Sequence, residues 1–353
     1  MLEVLRSGRL SLGPTIDRFE EKLADRVGAP YAAAVSSGTA GLHLLVRMAG
    51  IGPGDEVITS PLSFAASANC FLFEGATPVF ADVDRRTWNL DPGAVEAAIT
   101  ERTKALVAVD MFGYPCELAP LLEICERRGI TLIEDSAEAL GAEYKRAPIG
   151  SHGPSCVFGF YPNKQVATGE GGVVTTHSEE EWKLLRSLRN QGRSYDHGSW
   201  FNHVRLGFNY RWTDLQAAVG IGQLEKLDRM LTLRAAAADR YAKLLDGVDG
   251  VELAPADDED HRRSWFVYIV LLAPDMDRAR AMVELRERGV DVLDYVPCIH
   301  LLTYMRERYG FSEGMFPVAE GISSRTLALP FFPGIEPDDQ EYVVATLAGA
   351  LER

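Results

Sequence analysis

Cysteine is scarce: five in 353 residues, at positions 70, 116, 125, 156 and 298, with no CxxC pair and no metal-ligand spacing. That excludes a disulfide framework and a zinc-ribbon site. The five read as reduced packing residues, and no metal is expected. Long apolar runs are missing too, so no segment has the length of a membrane span. The opening MLEVLRSGRLSLG carries charges throughout and lacks the apolar middle of a signal peptide, so a cytoplasmic chain is expected. Positive charge is in deficit: 36 Lys and Arg stand against 51 Asp and Glu, a net charge of −15. The deficit argues against non-specific binding to nucleic acid or to a membrane surface. It does not exclude an anionic ligand, because screening over ~8 Å lets the charges lining a pocket outweigh the distant sum. Internal repeats and low-complexity segments are also absent.

What is present is a core. Hydrophobic residues make up 46% and charged residues 25%, which argues against global disorder. The length suggests two units. From Tyr31 onward short apolar strands alternate with helical patterns. Strands are expected at Tyr31–Ser36, Glu56–Thr59, Pro78–Ala81, Ala105–Asp110, Thr131–Glu134, Cys156–Phe160 and Gly172–Thr175. Helices are expected at Thr39–Ala49, Phe64–Phe73, Pro92–Ile99, Leu118–Arg127 and Glu179–Leu188. Apolar strands separated by helices imply an α/β unit with a mainly parallel seven-stranded sheet covered on both faces. Thr213 and Gln216 fit a capping box, and one long helix is expected to follow to about Leu245. That helix is the natural hinge, dividing the chain into residues 1–235 and a smaller α+β unit at 236–353. In the latter, Trp265–Leu272 and Val290–Val296 read as strands, and Asp277–Arg288 and Asp338–Glu352 as helices.

Ligands of such sheets sit at the carboxyl ends of the strands. Ser37, Asp135 and Lys164 all fall just past strand ends. Lys164, in FGFYPNKQVATGEGG, is an amine able to form a Schiff base, or else a surface charge on a Gly-rich hairpin. Asp135, in TLIEDSAEALGA, is a carboxylate able to hold a protonated ring nitrogen, or else a helix cap. Ser36, Ser37, Gly38, Thr39 and Ala40 open a helix whose free amides suit a phosphate, or form an ordinary capped start. Amine, carboxylate and helix-start amides together are what pyridoxal phosphate needs from a protein. Phe64, in TSPLSFAASANC, is able to lie against a flat ring or to be core; His43 reads as a packed histidine.

With these residues in hand, the chain resembles the pyridoxal-phosphate-dependent nucleotide-sugar aminotransferases of the DegT/StrS family (fold type I, akin to aspartate aminotransferase). The motifs run nearly end to end: RSGRLSLGP, VSSGTAGLHL, GIGPGDEVITSPLSFAASAN, GATPVFADVD, IEDSAEALGA, FGFYPNKQVATGEGG and GFNYRWTDLQAAVG. The resemblance implies that Lys164 bonds the cofactor aldehyde, Asp135 partners the pyridine nitrogen, Gly38, Thr39 and Ala40 cradle the phosphate, and Phe64 stacks on the ring. Asn209 matches an asparagine that reaches a phosphate across a dimer interface, which implies a homodimer with shared sites. Three departures stand out. Gly159 replaces a phosphate-binding serine. Glu138 stands where relatives have glutamine or histidine near the ring hydroxyl, and is either protonated or paired with an arginine. Relatives also carry an extra segment ahead of the equivalent of Val4–Ser11.

The implied reaction moves an amino group from L-glutamate to a nucleotide-linked keto sugar in two stages, with Lys164 shuttling the proton. TGEGG after the lysine resembles the group that aminates C4, so a 4-keto-6-deoxyhexose and a perosamine-type product are expected. Arg193, Arg205, Arg211 and Arg325 are candidates for the nucleotide diphosphate, and His300 for a substrate-side loop. The alternatives are amination of a 3-keto sugar or a cyclitol ketone, and a catalytically silent cofactor-binding regulator. The lysine speaks against a dehydratase, which has histidine there. A desulfurase needs a reactive cysteine, for which only Cys298 offers itself.

Overall fold

The computed structural model describes residues 1–194 and 201–352. Seven apolar runs form one sheet: β1 (Tyr31–Val35), β2 (Glu56–Thr59), β3 (Thr77–Phe80), β4 (Thr103–Val109), β5 (Thr131–Asp135), β6 (Ser155–Gly159) and β7 (Gly172–Thr176). Their order is β1-β7-β6-β5-β4-β2-β3. The run from β6 through β5, β4 and β2 to β3 is parallel. β7 is antiparallel to both neighbours. The reason lies in its connection: a loop over residues 160–171, not a crossover helix, joins β6 to β7, so the chain simply turns back. The start of β7 therefore lies at the same edge as the carboxyl ends of β1, β5 and β6.

Side chains alternate across the sheet, and both faces are buried. Ala32 and Ala34 of β1, Leu106 and Ala108 of β4, and Cys156 and Phe158 of β6 join one core with Phe19, Leu23, Leu121 and Trp212. The intervening Ala33, Val35, Ala105, Val107 and Val157 join a second core with Leu42, Leu45, Phe71 and Leu185. Helices Pro14–Val27, Leu118–Arg128 and Asp214–Leu224 thus cover one face, and Gly38–Met48, Ala66–Leu72 and Glu179–Leu188 the other.

The stretch expected as one helix from Thr213 to about Leu245 is two, Asp214–Leu224 and Leu227–Leu245, although the capping box of Thr213 and Gln216 is present. The break lies at Lys226 (φ −104°, ψ −6°). Ala217, Ile221 and, past the break, Leu227 pack in the core of Phe19, whereas Ala237, Ala238, Tyr241 and Leu245 further along the second helix pack with the C-terminal elements. Those elements are β8 (Val251–Leu253), β9 (Tyr268–Leu272) and β10 (Thr326–Leu329), an antiparallel sheet in that order. Helices Arg278–Glu287 and Pro337–Leu351 bury its face. Val290–Val296, expected as a strand, touches this sheet through one bridge only, Leu293 to Ala328. Asp291 and Asp294, poor strand formers, stay exposed, and the segment runs on to bring Tyr295 to the large sheet's edge.

Candidate active site

The carboxyl edge of the large sheet opens into a cavity of ≈ 400 Å³. Asp135 ends β5, Ser37 lies two residues past β1, and Lys164 lies on the loop past β6; all three line the cavity, with Gly38, Thr39, Phe64, Glu138 and Gly159. The residues singled out at three strand ends therefore share one space.

Asp135 is buried. Burial pushes its carboxyl up, while the Ser67 hydroxyl and the Ala137 amide favour its anion; Glu138 opposes the anion and Lys164 supports it. The Ser67 hydroxyl donates to Oδ2 at 2.6 Å, and the Ala137 amide to Oδ1 at 3.3 Å. Ser63 in turn meets Ser67 at 2.7 Å. Asp135 belongs to its strand and opens no helix among the described residues, so the helix-cap reading lapses. Lys164 is not a surface lysine: 13% of its side chain is exposed. Its Nζ donates to Glu138 Oε1 at 3.1 Å and stands 4.0 Å from the centre of the Phe266 ring. Glu138 is thus paired with this lysine rather than with an arginine. Its second oxygen accepts the Phe112 amide at 3.1 Å, from a residue held at φ 56°.

Ser37 caps helix Gly38–Met48, its hydroxyl accepting the Ala40 amide at 3.1 Å. The Gly41 amide is used by the Ser37 carbonyl. The Gly38 and Thr39 amides have no partner within the helix, and both residues line the cavity, so two amides and the helix dipole are available to a phosphate there, with Ala40 already engaged. Gly172 makes this close approach possible. A Cβ there would lie 2.6 Å from the Gly38 nitrogen and 2.7 Å from the Ser37 carbonyl carbon. At Gly159 the nearest atoms an added Cβ would meet belong to Ala137, from 3.4 Å, an ordinary van der Waals contact. An amine, a buried carboxylate, free amides and a backbone cradle together fit pyridoxal phosphate.

Phe64 is 67% exposed at the cavity wall, ahead of its helix, and so is not core. Asn209 and the four arginines lie outside the cavity lining. Asn209 is exposed and bridges to Asn190, whose side chain accepts from Arg211 at 3.1 Å. Arg193 bridges to His203, and Arg205 donates to Ser187. Arg325 is held by the carbonyls of Gly321 and Leu272. His300 is fully buried, with Nε2 at 3.0 Å from Glu320. His43 is packed, bonded to Tyr210 and Glu74. Cys298 is buried, and burial raises its thiol, so it offers no reactive thiolate. Ser67, Tyr295, Phe266 and Glu170 escaped the sequence reading. Ser67 has a local signal, four residues after Ser63 in TSPLSFAASANC. Phe266 and Tyr295 come from beyond residue 260 and have none.

Comparison with known proteins agrees with this geometry. The model of the DegT/DnrJ/EryC1/StrS aminotransferase family matches residues 1–348. The spore coat polysaccharide biosynthesis protein SpsC of Bacillus subtilis is 39% identical over 356 residues, covering 97% of this chain and 91% of that protein. GDP-perosamine synthase of Caulobacter vibrioides is 37% identical over 337 residues, covering 96% and 90%. The solved PLP form of Spr1654 from Streptococcus pneumoniae superposes with a TM-score of 0.94 at 28% identity, covering 99% of this chain and 94% of that one. The chain belongs to the DegT/DnrJ/EryC1/StrS aminotransferase family and is a pyridoxal-phosphate-dependent transaminase of the sugar-aminating kind.

Proposed function

We propose that the protein moves the amino group of L-glutamate to C4 of a nucleotide-linked 4-keto-6-deoxyhexose, giving a perosamine-type 4-amino sugar. The observation that carries the reading is the meeting of Lys164, Asp135 and the helix start at Gly38 in one cavity. TGEGG after the lysine and the 37% identity to a GDP-perosamine synthase support the choice of C4. Pyridoxal phosphate, when bound, supplies an electron sink for charge developing on the carbon that bears the amine. The chain's residues supply the rest. The Gly38 and Thr39 amides hold the phosphate. Asp135, whose anion the Ser67 hydroxyl and the Ala137 amide favour against burial, holds the proton on the ring nitrogen. Phe64 covers the ring, and Glu138 stands beside the lysine. The Lys164 amine, once released, takes the proton from the donor carbon and returns it on the other side of the transfer.

Among the described residues, the cavity lining sets Asp135, Glu138 and Glu170 against Lys164 alone. A nucleotide diphosphate needs cations from elsewhere. In this reading a second copy of the chain completes the site, with Asn209 at the cofactor phosphate and Arg193 and Arg211 toward the nucleotide. The reading places the reaction in the cytoplasm and divides the chain at about residue 235. Borohydride reduction of the loaded protein, peptide mapping, and incubation with glutamate and a panel of nucleotide keto sugars test it. A reduced adduct on Lys164 and mass gain on a 4-keto sugar are expected. Turnover of only 3-keto sugars or cyclitol ketones would overturn the substrate, and an adduct elsewhere the site.

A further inference from the structure

Lys164 is followed by a glutamine that ties together distant stretches of the chain. The Gln165 side chain is buried. Its amide nitrogen donates to the Glu138 carbonyl and, at 2.7 Å, to the Ser264 hydroxyl. Chemistry fixes which way this amide points: a carbonyl only accepts, so the NH2 end must face Glu138. Ser264 closes a triangle. Its hydroxyl donates to the same carbonyl at 3.3 Å, and its backbone amide to the Gly113 carbonyl at 3.1 Å. Gly113 leaves room for this triangle. It stands at φ 76°, and a Cβ there would lie 2.8 Å from the Glu138 carbonyl oxygen and 2.9 Å from the Ser264 hydroxyl oxygen.

The triangle anchors the two groups that flank the lysine amine. One is the Glu138 carboxylate, 3.1 Å from Nζ, whose own backbone carbonyl is a corner of the triangle. The other is the Phe266 ring, its centre 4.0 Å from Nζ, two residues past the corner at Ser264. Trp265 between them stands at φ 53°, so the chain turns there and presents both neighbours to the lysine loop. All three corners lie outside the strands and helices, so the sheet's own hydrogen bonds do not use them. All three are also buried, and a buried polar network with every member bonded holds one arrangement rather than several. A lysine side chain has many rotamers, and it stays in one place only where its surroundings are fixed.

We propose that Gln165 and Ser264 are positioning residues for the amination reaction: through the Glu138 carbonyl and the turn to Phe266 they fix the slot in which the Lys164 amine lies. The proposal rests on the role of Lys164 proposed above. Losing the Gln165 donor leaves both cores untouched but frees the two walls of the slot. The amine then samples more positions, is reached more easily by reagents, and spends less time where the reaction needs it.

The test reads the amine itself in the cofactor-free chain. Trace labelling with acetic anhydride and peptide mass spectrometry give the reactivity of Lys164 relative to exposed Lys22 in the same sample. Gln165→Met keeps the side-chain length and removes both N–H groups; Ser264→Ala removes the hydroxyl. Each is expected to raise Lys164 labelling roughly 3- to 10-fold, the range of one lost hydrogen bond. Because both act through one triangle, Ser264→Ala should add little on the Gln165→Met background. Turnover of the loaded enzyme is the second readout. There kcat should fall about 10- to 100-fold with KM for the amino donor within about threefold, since a misplaced amine harms the reacting state more than binding. Urea midpoints show which variants fold, and Ser264→Ala carries the labelling test alone if Gln165→Met does not. Unchanged labelling in a folded variant, fully additive effects, or a loss confined to KM would overturn the proposal. A borohydride adduct missing from Lys164 in the loaded wild type would instead sink the assignment beneath it.

Discussion

Gly172→Ala joins fold and site in a single methyl group. The added carbon would lie 2.6 Å from the Gly38 nitrogen, 2.7 Å from the Ser37 carbonyl carbon and 2.8 Å from its oxygen. All three are backbone atoms, so no rotamer change relieves the contact. Ordinary carbon contacts begin near 3.4 Å, and the helix start must retreat by roughly 0.8 Å. Overpacking of this kind costs about 1–3 kcal/mol, expected as a lower urea midpoint for the cofactor-free protein. The retreat falls on the Gly38 and Thr39 amides. Loss of one good hydrogen bond to a charged phosphate costs about 1.5–3 kcal/mol, or a roughly 10- to 100-fold weaker cofactor. Gly52→Ala, where an added carbon meets nothing within 4 Å, is the control. Urea unfolding and an absorbance titration with pyridoxal phosphate read the two effects separately. If Gly172→Ala matched wild type in midpoint and bound cofactor within twofold, the close approach of β7 to the helix start would not matter, and the phosphate would have to be held elsewhere.

Ser67→Ala removes the 2.6 Å hydrogen bond to Asp135 while leaving the Ala137 amide in place. A hydrogen bond to a charged acceptor is worth about 1.5–3 kcal/mol, so cofactor affinity should fall roughly 10- to 100-fold without loss of fold; unchanged affinity would deny Ser67 its part in keeping Asp135 anionic. Asp110→Asn addresses pH. Burial pushes the Asp110 carboxyl up to about 6, against the Ser136 hydroxyl and the Cys116 amide, which favour its anion. The folded chain therefore keeps this proton where the unfolded chain has lost it, and stability falls as pH rises from the ordinary carboxylate range to about 6. The wild type should lose roughly 1–3 kcal/mol relative to Asp110→Asn between pH ~4 and ~6, read from urea midpoints; a difference flat in pH would show that Asp110 is ionised throughout.

The part of the site that could be read from the sequence is the part that follows from strand ends. Six of the seven strands are short runs buried for most of their length on both faces, with the edge strand β3 exposed at Thr77, and such runs announce themselves without help from the rest of the chain. Once they form one sheet, Ser37, Asp135 and Lys164 must converge, because the carboxyl ends of parallel strands share an edge. What stayed hidden depends on facts that no local window holds. The reversed direction of β7 is set by a loop whose length does not reveal its path, yet that reversal brings Gly172 against the helix start. The break at Lys226 has no local mark in the sequence, neither Gly nor Pro. Phe266 and Tyr295 reach Lys164 and Glu138 only because the C-terminal elements pack over the sheet edge. Glu138 lies between the two cases: the family resemblance put it near the cofactor, but whether it was protonated or faced an arginine was a question of side-chain placement. The contact with Lys164 answers it: the carboxylate meets an amine and not a guanidinium.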